Sequence, residues 1–142
     1  MISLTDQIVE GIREEFGRLN NSYADIIVKE AYKKLPKGTY PKIIVEEIRN
    51  SEVFSRSTSR GERTTALGYQ ITTYSRDTEE YEYVDSVKYM MDVVDEYISK
   101  NITMRRVGDR VIKPYITDNT IMTCTQRYEC VYDKDMDLIY KN

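Results

Sequence analysis

Acidic side chains form three clusters along the chain, and paired carboxylates can bind a divalent cation or share a catalytic proton. The clusters are Glu46-Glu47, Glu79-Glu80-Glu82 and Asp133-Asp135-Asp137. The first pair falls in a strand pattern, which points its members to opposite faces, and the second group precedes a helix, where negative charge is favoured. The third has the alternate spacing of a calcium loop but lacks the glycine and the closing glutamate of such a loop. We therefore predict no metal site.

Most residues that carry acid–base or nucleophilic catalysis are missing. The chain has no histidine, and its six glycines occur singly, outside the spacing of a phosphate-binding loop. Cys124 and Cys130 share a strand pattern in which they would lie about 20 Å apart, too far for a disulfide. The sequence thus predicts free thiols, no cofactor and no enzymatic activity.

The remaining candidate for chemistry is a set of arginines around a Ser- and Thr-rich segment. The set comprises Arg49, Arg56, Arg60 and Arg63. Against Glu52 and Glu62, these four arginines leave a net charge of +2 over residues 49–63. Such a segment is either a loop kept soluble by its charges or a contact for a partner's carboxylates or for DNA. We predict an exposed hairpin loop at about 50–65 that carries these candidate interaction residues.

The length of the chain predicts one domain, and its net charge argues against a protein whose whole surface binds nucleic acid. The 142 residues carry 40% hydrophobic and 32% charged side chains with a net charge of −3. Thirteen tyrosines against two phenylalanines indicate either enrichment at an interface or ordinary sheet chemistry. The first residues lack the pattern of an export signal, and no long apolar run follows. We expect no export and no membrane span.

Two segments have the periodicity of amphipathic helices. Leu4, Ile8, Ile12 and Phe16 recur at four-residue spacing and predict a helix over 4–16, with Gly17 just past its end. A longer stripe predicts a second helix over about 80–100. That stripe contains Val84, Val87, Met91, Val94 and Ile98.

The other apolar segments have strand character. We predict strands at 43–48, 66–75, 102–107, 111–116 and 120–132, with a turn at Gly108-Asp109 and a break at Pro114. In the last strand, Cys124, Gln126, Tyr128 and Cys130 share one face, and Ile121, Thr123, Thr125 and Arg127 share the other. Residues 23–34 fit a helix or a short strand, and residues 133–142 are predicted to be a loosely held tail.

The order of these elements resembles the tail terminator and tail-completion (head–tail joining) proteins of tailed bacteriophages. The resemblance lies in Leu35-Pro36, the run Ile43–Glu47 (IIVEE), the strand Gly68–Ser75 (GYQITTYS) before the long helix, Arg105-Arg106, and Gln126–Cys130 (QRYEC). It spans roughly residues 4–132. It implies a single α/β (α+β) domain of two layers: a mostly antiparallel sheet of four to five strands with two or three helices on one side. It also favours a strand at 25–30.

The resemblance further implies a structural virion protein of the tail or neck, assembled in the host cytoplasm. Such subunits form a homo-oligomeric ring, commonly a hexamer, that closes the tail tube and meets the head–tail connector protein while DNA passes through its lumen. The loop at 50–65 is then expected to extend towards a neighbouring subunit or the lumen. The alternative is a small bacterial accessory module whose Tyr-rich sheet holds a protein partner.

Overall fold

The chain forms a β-sheet with two helices packed on one of its faces. The computed structural model describes residues 4–19, 21–31, 40–52, 64–78, 82–133 and 138–140. In chain order the elements are α1 (Leu4–Arg18), β1 (Ile27–Glu30), β2 (Lys42–Glu52), β3 (Thr64–Arg76), α2 (Tyr83–Asn101), β4 (Arg105–Tyr115), β5 (Asp118–Asp133) and β6 (Leu138–Tyr140). The predicted two-layer α+β architecture is confirmed.

The sheet is mixed but mostly antiparallel. Its strand order is β1-β2-β3-β5-β4, with β1 parallel to β2 and every other pair antiparallel. The short strand β6 pairs with Val131–Asp133 of β5, beyond the point where β4 begins opposite Glu129. The segment at 23–34, which fits either structure by sequence alone, contains strand β1, because pairing with β2 satisfies its backbone.

Helix α1 buries the predicted stripe of Leu4, Ile8, Ile12 and Phe16 against the sheet. The helix runs to Arg18, so the prediction that Gly17 lies past its end is wrong. Arg18 lies 3.1 Å from a carboxylate oxygen of Glu15, and this ion pair supports the last turn.

Helix α2 begins with a side-chain cap from one of the acidic clusters. The carboxylate of Glu82 accepts hydrogen bonds from the backbone N–H groups of Val84 (3.3 Å) and Asp85 (2.8 Å). These bonds satisfy donors that a helix start leaves without partners. Glu82 therefore has the structural role that the sequence predicted for its cluster; Glu79 and Glu80 lie outside the described residues.

The faces of β5 are confirmed as predicted. Cys124, Gln126, Tyr128 and Cys130 are buried beneath the helices, whereas Arg127 is exposed on the other side. Strand β3 runs alongside with the same alternation: Ile71 is buried in the core, and the Thr73 hydroxyl donates to the Val87 carbonyl of α2 at 3.0 Å. Alternation with a period of two places every second residue of each strand on the face away from the helices.

The predicted turn at Gly108-Asp109 is wrong, and the predicted break at Pro114 is a shift in strand register. Strand β4 is continuous through the expected turn at Gly108-Asp109, because a bulge there absorbs the extra residues and Gly108 adopts a φ of 74°, which glycine reaches without steric cost. Strand β4 also continues past Pro114, because it pairs on one side only and an edge strand tolerates proline, but its register with β5 shifts between Pro114 and Tyr115. The predicted loose tail contains strand β6, which extends the sheet.

Helix α1 packs against Tyr97 of α2 at Gly11, and this contact gives a test of the packing. A Cβ atom at Gly11 would overlap the ring of Tyr97, whereas one at Gly17 of the same helix meets no atom. We expect Gly11→Ala to lower the free energy of unfolding by about 1–3 kcal/mol through overpacking. Gly17→Ala is expected to raise it by about 0.5–1 kcal/mol through backbone entropy. Urea denaturation measures both, and shifts of the same sign would contradict the packing.

Candidate interaction surface

The sheet face turned away from α1 and α2, which we call the open face, is the candidate functional surface. No helix of the described part of the chain covers it. Its side chains are cross-strand neighbours in the registers of β1 to β5. They are Lys29, Lys42, Ile44, Glu46, Arg49, Gln70, Thr72, Tyr74, Arg76, Arg105, Val107, Val111, Lys113, Tyr115, Asp118, Ile121, Thr123, Thr125, Arg127 and Glu129.

Hydrogen bonds between neighbouring strands fix the centre of the open face. The hydroxyl groups of Thr72 and Thr125 are 3.2 Å apart, and the Arg127 Nε donates to the Gln70 amide oxygen at 3.2 Å. Cross-strand pairs of this kind stabilise a sheet and hold their side chains in one conformation. The centre of the face is thus polar, and its side chains are joined across the strands by hydrogen bonds.

The edge strand β4 makes the open face concave. Together with β3 and β5 it surrounds a groove of about 570 Å³. The bulge between Val107 and Val111 interrupts the ladder, and bulges bend and twist the strand that carries them. The lining combines amide, hydroxyl and basic groups and the carboxylate of Asp109 with apolar side chains that include Val111, Tyr115 and Ile116.

One end of the open face carries a carboxylate between two arginines. A Glu129 oxygen lies 4.0 Å from a guanidinium nitrogen of Arg49, and its other oxygen lies 3.7 Å from one of Arg105. Arg49 is therefore part of strand β2 on this face, and it does not belong to the predicted loop. Arg56, Arg60 and Arg63 lie outside the described residues.

The other end of the open face is aromatic and cationic. The Lys42 ammonium lies 4.6 Å from the ring centroid of Tyr40 and 5.4 Å from that of Tyr74, and the Tyr74 and Tyr115 rings meet edge to face at 5.7 Å. Burial lowers the pKa of Lys42 and raises that of Tyr74. Cation–π contacts of this type hold the basic groups over the rings.

Exposed apolar side chains project from the second half of β4 and from its turn into β5. Ile116 is 92% exposed, Val111 is 47% exposed and Tyr115 is 37% exposed. A single exposed apolar residue is unremarkable, but three on one hairpin beside a groove form a patch that a partner can cover. We call these three residues the hairpin tip.

Beneath the sheet, β4 and β5 are tied to α2 by polar contacts. The Tyr128 hydroxyl donates to Asp95 at 2.8 Å, and Arg106 lies 3.3 Å from the other oxygen of that carboxylate. Arg110 donates to Asp92 at 2.7 Å and to the buried Gln126 side chain at 3.3 Å. These contacts fix the strands that build the open face against the helix layer.

The carboxylate pair Glu46-Glu47 is divided between the two faces as predicted. Glu46 is opposite Gln70 on the open face, whereas the Glu47 carboxylate accepts a hydrogen bond from the Tyr69 hydroxyl at 3.5 Å on the helix side. Across the described ranges, no three His, Cys, Asp or Glu residues are grouped as metal ligands would be. Neither described helix is long and apolar enough to cross a membrane.

The two thiols are separate and buried, and burial raises the pKa of Cys124 and of Cys130 to about 11. An unfolded chain would ionise its thiols near pH 8.5, so the unfolded state releases protons first as the pH rises. We expect the contribution of the two thiols to the free energy of unfolding to be constant below that pH and to fall between about pH 8.5 and 11. Urea denaturation across this range tests the prediction, and a flat profile would contradict it.

Sequence reasoning identified one of the residues on this face as a candidate, Arg49, and missed the remainder. The alternation of residues along two strands contained the missing information. Gln70, Thr72 and Tyr74 are alternate residues on one face of β3, and Thr123, Thr125 and Arg127 are alternate residues on the same face of β5. The residues of β4 carried no comparable signal, because the bulge shifts their register.

No protein-family model matches this chain, and no curated protein matches its sequence.

Proposed function

We propose that this chain is a structural protein of a tailed-phage virion, which assembles into a ring that closes the tail tube and joins it to the head connector. The observation that carries the proposal is the concave open face with the exposed hairpin tip at its rim. An apolar patch next to a groove is typical of a surface that a protein partner covers. The resemblance in element order names the class of assembly.

The distribution of surface features supports a ring. The open face and the helix layer are different surfaces on opposite sides of the subunit. Contacts between unlike surfaces are heterologous, and they close into rings when the rotation between subunits allows it. A hexamer, with the tail tube on one side and the connector on the other, is the assembly that the resemblance implies.

A second function is favoured by the groove itself. The Tyr74–Tyr115 pair, together with the neighbouring threonines, offers aromatic and hydrogen-bonding groups to an extended peptide. A small accessory module that holds a protein partner on this sheet would use the same groups. Such a module would act as a monomer or dimer and would ignore tail tubes.

The mass of the purified protein in solution separates the two functions. Light scattering at several protein concentrations, with and without purified tail tubes, measures it directly. A species of about six subunits, formed at high concentration or on tubes, supports the ring. A monomer or dimer at every concentration, unchanged by tubes, would replace the ring with the accessory module.

A further inference from the structure

The two layers of the subunit carry opposite excess charge. Among the side chains that the structure describes, the open face and its bulge have seven basic groups and four acidic ones. The basic groups are Lys29, Lys42, Arg49, Arg76, Arg105, Lys113 and Arg127, and the acidic ones are Glu46, Asp109, Asp118 and Glu129.

The helix layer has the reverse balance. Its nine acids are Asp6, Glu10, Glu14, Glu15, Glu82, Asp85, Asp92, Asp95 and Glu96, and its four bases are Arg13, Arg18, Lys88 and Lys100. Arg106 and Arg110 of β4 neutralise Asp95 and Asp92. The helix layer still has three more acids than bases after these two pairs are counted, in a chain whose net charge is −3.

The acidic excess is concentrated on the outer side of α1. Asp6, Glu10 and Glu14 follow one another at four-residue spacing, which places them in one line along the helix. Glu10 and Glu14 are exposed, while Ile8 and Ile12 face the core. Glu14 lies 4.0 Å from Arg18, and no ion pair within the described residues involves Glu10. We call this line the acidic ridge.

The open face and the acidic ridge are complementary in shape as well as in charge. A helix with its side chains is a rod about 10–12 Å across. The open face is concave because β4 borders a groove of about 570 Å³. The groove wall carries two basic groups, Lys113 and Arg127, against one carboxylate, Asp109, and the hairpin tip forms an apolar rim.

We propose that the open face of one copy docks on the acidic ridge of a second copy. The inference rests on the proposed ring function and names the two surfaces that form its contact. Opposite charges steer the encounter and fix the register, and like charges would block the isologous contact of open face with open face. The contact is heterologous: each subunit uses its open face towards one neighbour and its acidic ridge towards the other. A series of such contacts can close into a ring.

A charge-swap series tests this contact. Arg127→Glu with Lys113→Glu reverses the open face, and Glu10→Lys with Glu14→Lys reverses the ridge. Each pair is expected to raise the concentration needed for assembly by about tenfold or more, because like charges then meet. The four changes in one chain restore opposite charges and should restore assembly. All four positions are exposed, so each variant should stay folded and lose only the small contributions of the Arg127–Gln70 hydrogen bond and the Glu14–Arg18 ion pair, which thermal melting measures.

The matched control is Lys88→Glu with Lys100→Glu on α2, which changes net charge as much as the open-face pair does. Both positions are exposed in the helix layer. If assembly responded only to net charge, this control would weaken it equally; under the proposal it leaves assembly intact.

Other outcomes overturn the proposal in distinguishable ways. If the wild-type chain assembles on tubes but neither reversed pair weakens assembly, the contact is elsewhere and the ring function stands. If the wild-type chain never assembles, the ring function fails and the contact with it. If the open-face pair abolishes binding of a short labelled DNA duplex and the four-site swap fails to rescue assembly, the face binds nucleic acid.

Discussion

Replacing Tyr128 with alanine is expected to lower the free energy of unfolding by about 3–5 kcal/mol, the cost of truncating a large aromatic side chain in a core. Tyr128 is 1% exposed and lies on β5 beneath α2. Its hydroxyl donates to Asp95 of α2 at 2.8 Å, so the truncation removes ring packing and an interlayer hydrogen bond together. Chemical denaturation measures the loss.

Two further variants separate these contributions. Tyr128→Phe keeps the ring and removes the hydrogen bond, so we expect a loss of about 1–3 kcal/mol. Asp95→Asn keeps the shape of the acceptor but removes the charge that also faces Arg106 at 3.3 Å. A Tyr128→Phe loss as large as that of the alanine variant would show that the hydrogen bond, and not the ring, holds α2 on the sheet.

We expect Ile116→Asp to prevent the proposed ring assembly while leaving the monomer folded. Ile116 is 92% exposed in the turn between β4 and β5, so the monomer loses no packing. At an interface, the change would replace an apolar contact with a carboxylate that has to be desolvated. We expect assembly to weaken by about a hundredfold or more, the scale of a lost hot spot. Light scattering measures assembly, and thermal melting confirms the fold.

Thr103→Asp is the matched control for this variant. Thr103 is exposed just before β4 begins, whereas Ile116 follows the end of that strand, so the same carboxylate enters at the opposite end of the sheet. Assembly that is lost equally in both variants would point to net charge. Assembly that survives Ile116→Asp would remove the hairpin tip from the proposed interface.

The amphipathic elements follow from local periodicity, because one side of each must leave water. The stripe from Leu4 to Phe16 defines α1, and the alternation around Tyr128 defines both faces of β5, since a one-residue slip would expose the whole buried set. The same alternation determines that the carboxylates of Glu46 and Glu47 separate. These features depend on neighbours a few residues away, which a sequence displays.

Other features depend on partners far along the chain. Residues 27–30 form a strand because β2 pairs with them, and β4 runs through Gly108 and Pro114 because the edge of β5 is available to it. Arg49 joins the open face because Glu129 and Arg105 come to lie beside it. The opposition of a basic sheet face to an acidic helix layer is likewise a property of the assembled layers.

The sequence by itself determined the α+β class, the two helices, which alternate residues of the long strands are buried, and the separation of two free thiols. Hydrophobic periodicity is local, and burial enforces it. Only the tertiary structure decided which exposed residues share a surface, where β4 bends, and that the hairpin tip borders a groove. Strand pairing joins residues across long stretches of chain, and the rows of side chains it creates have no counterpart in linear order.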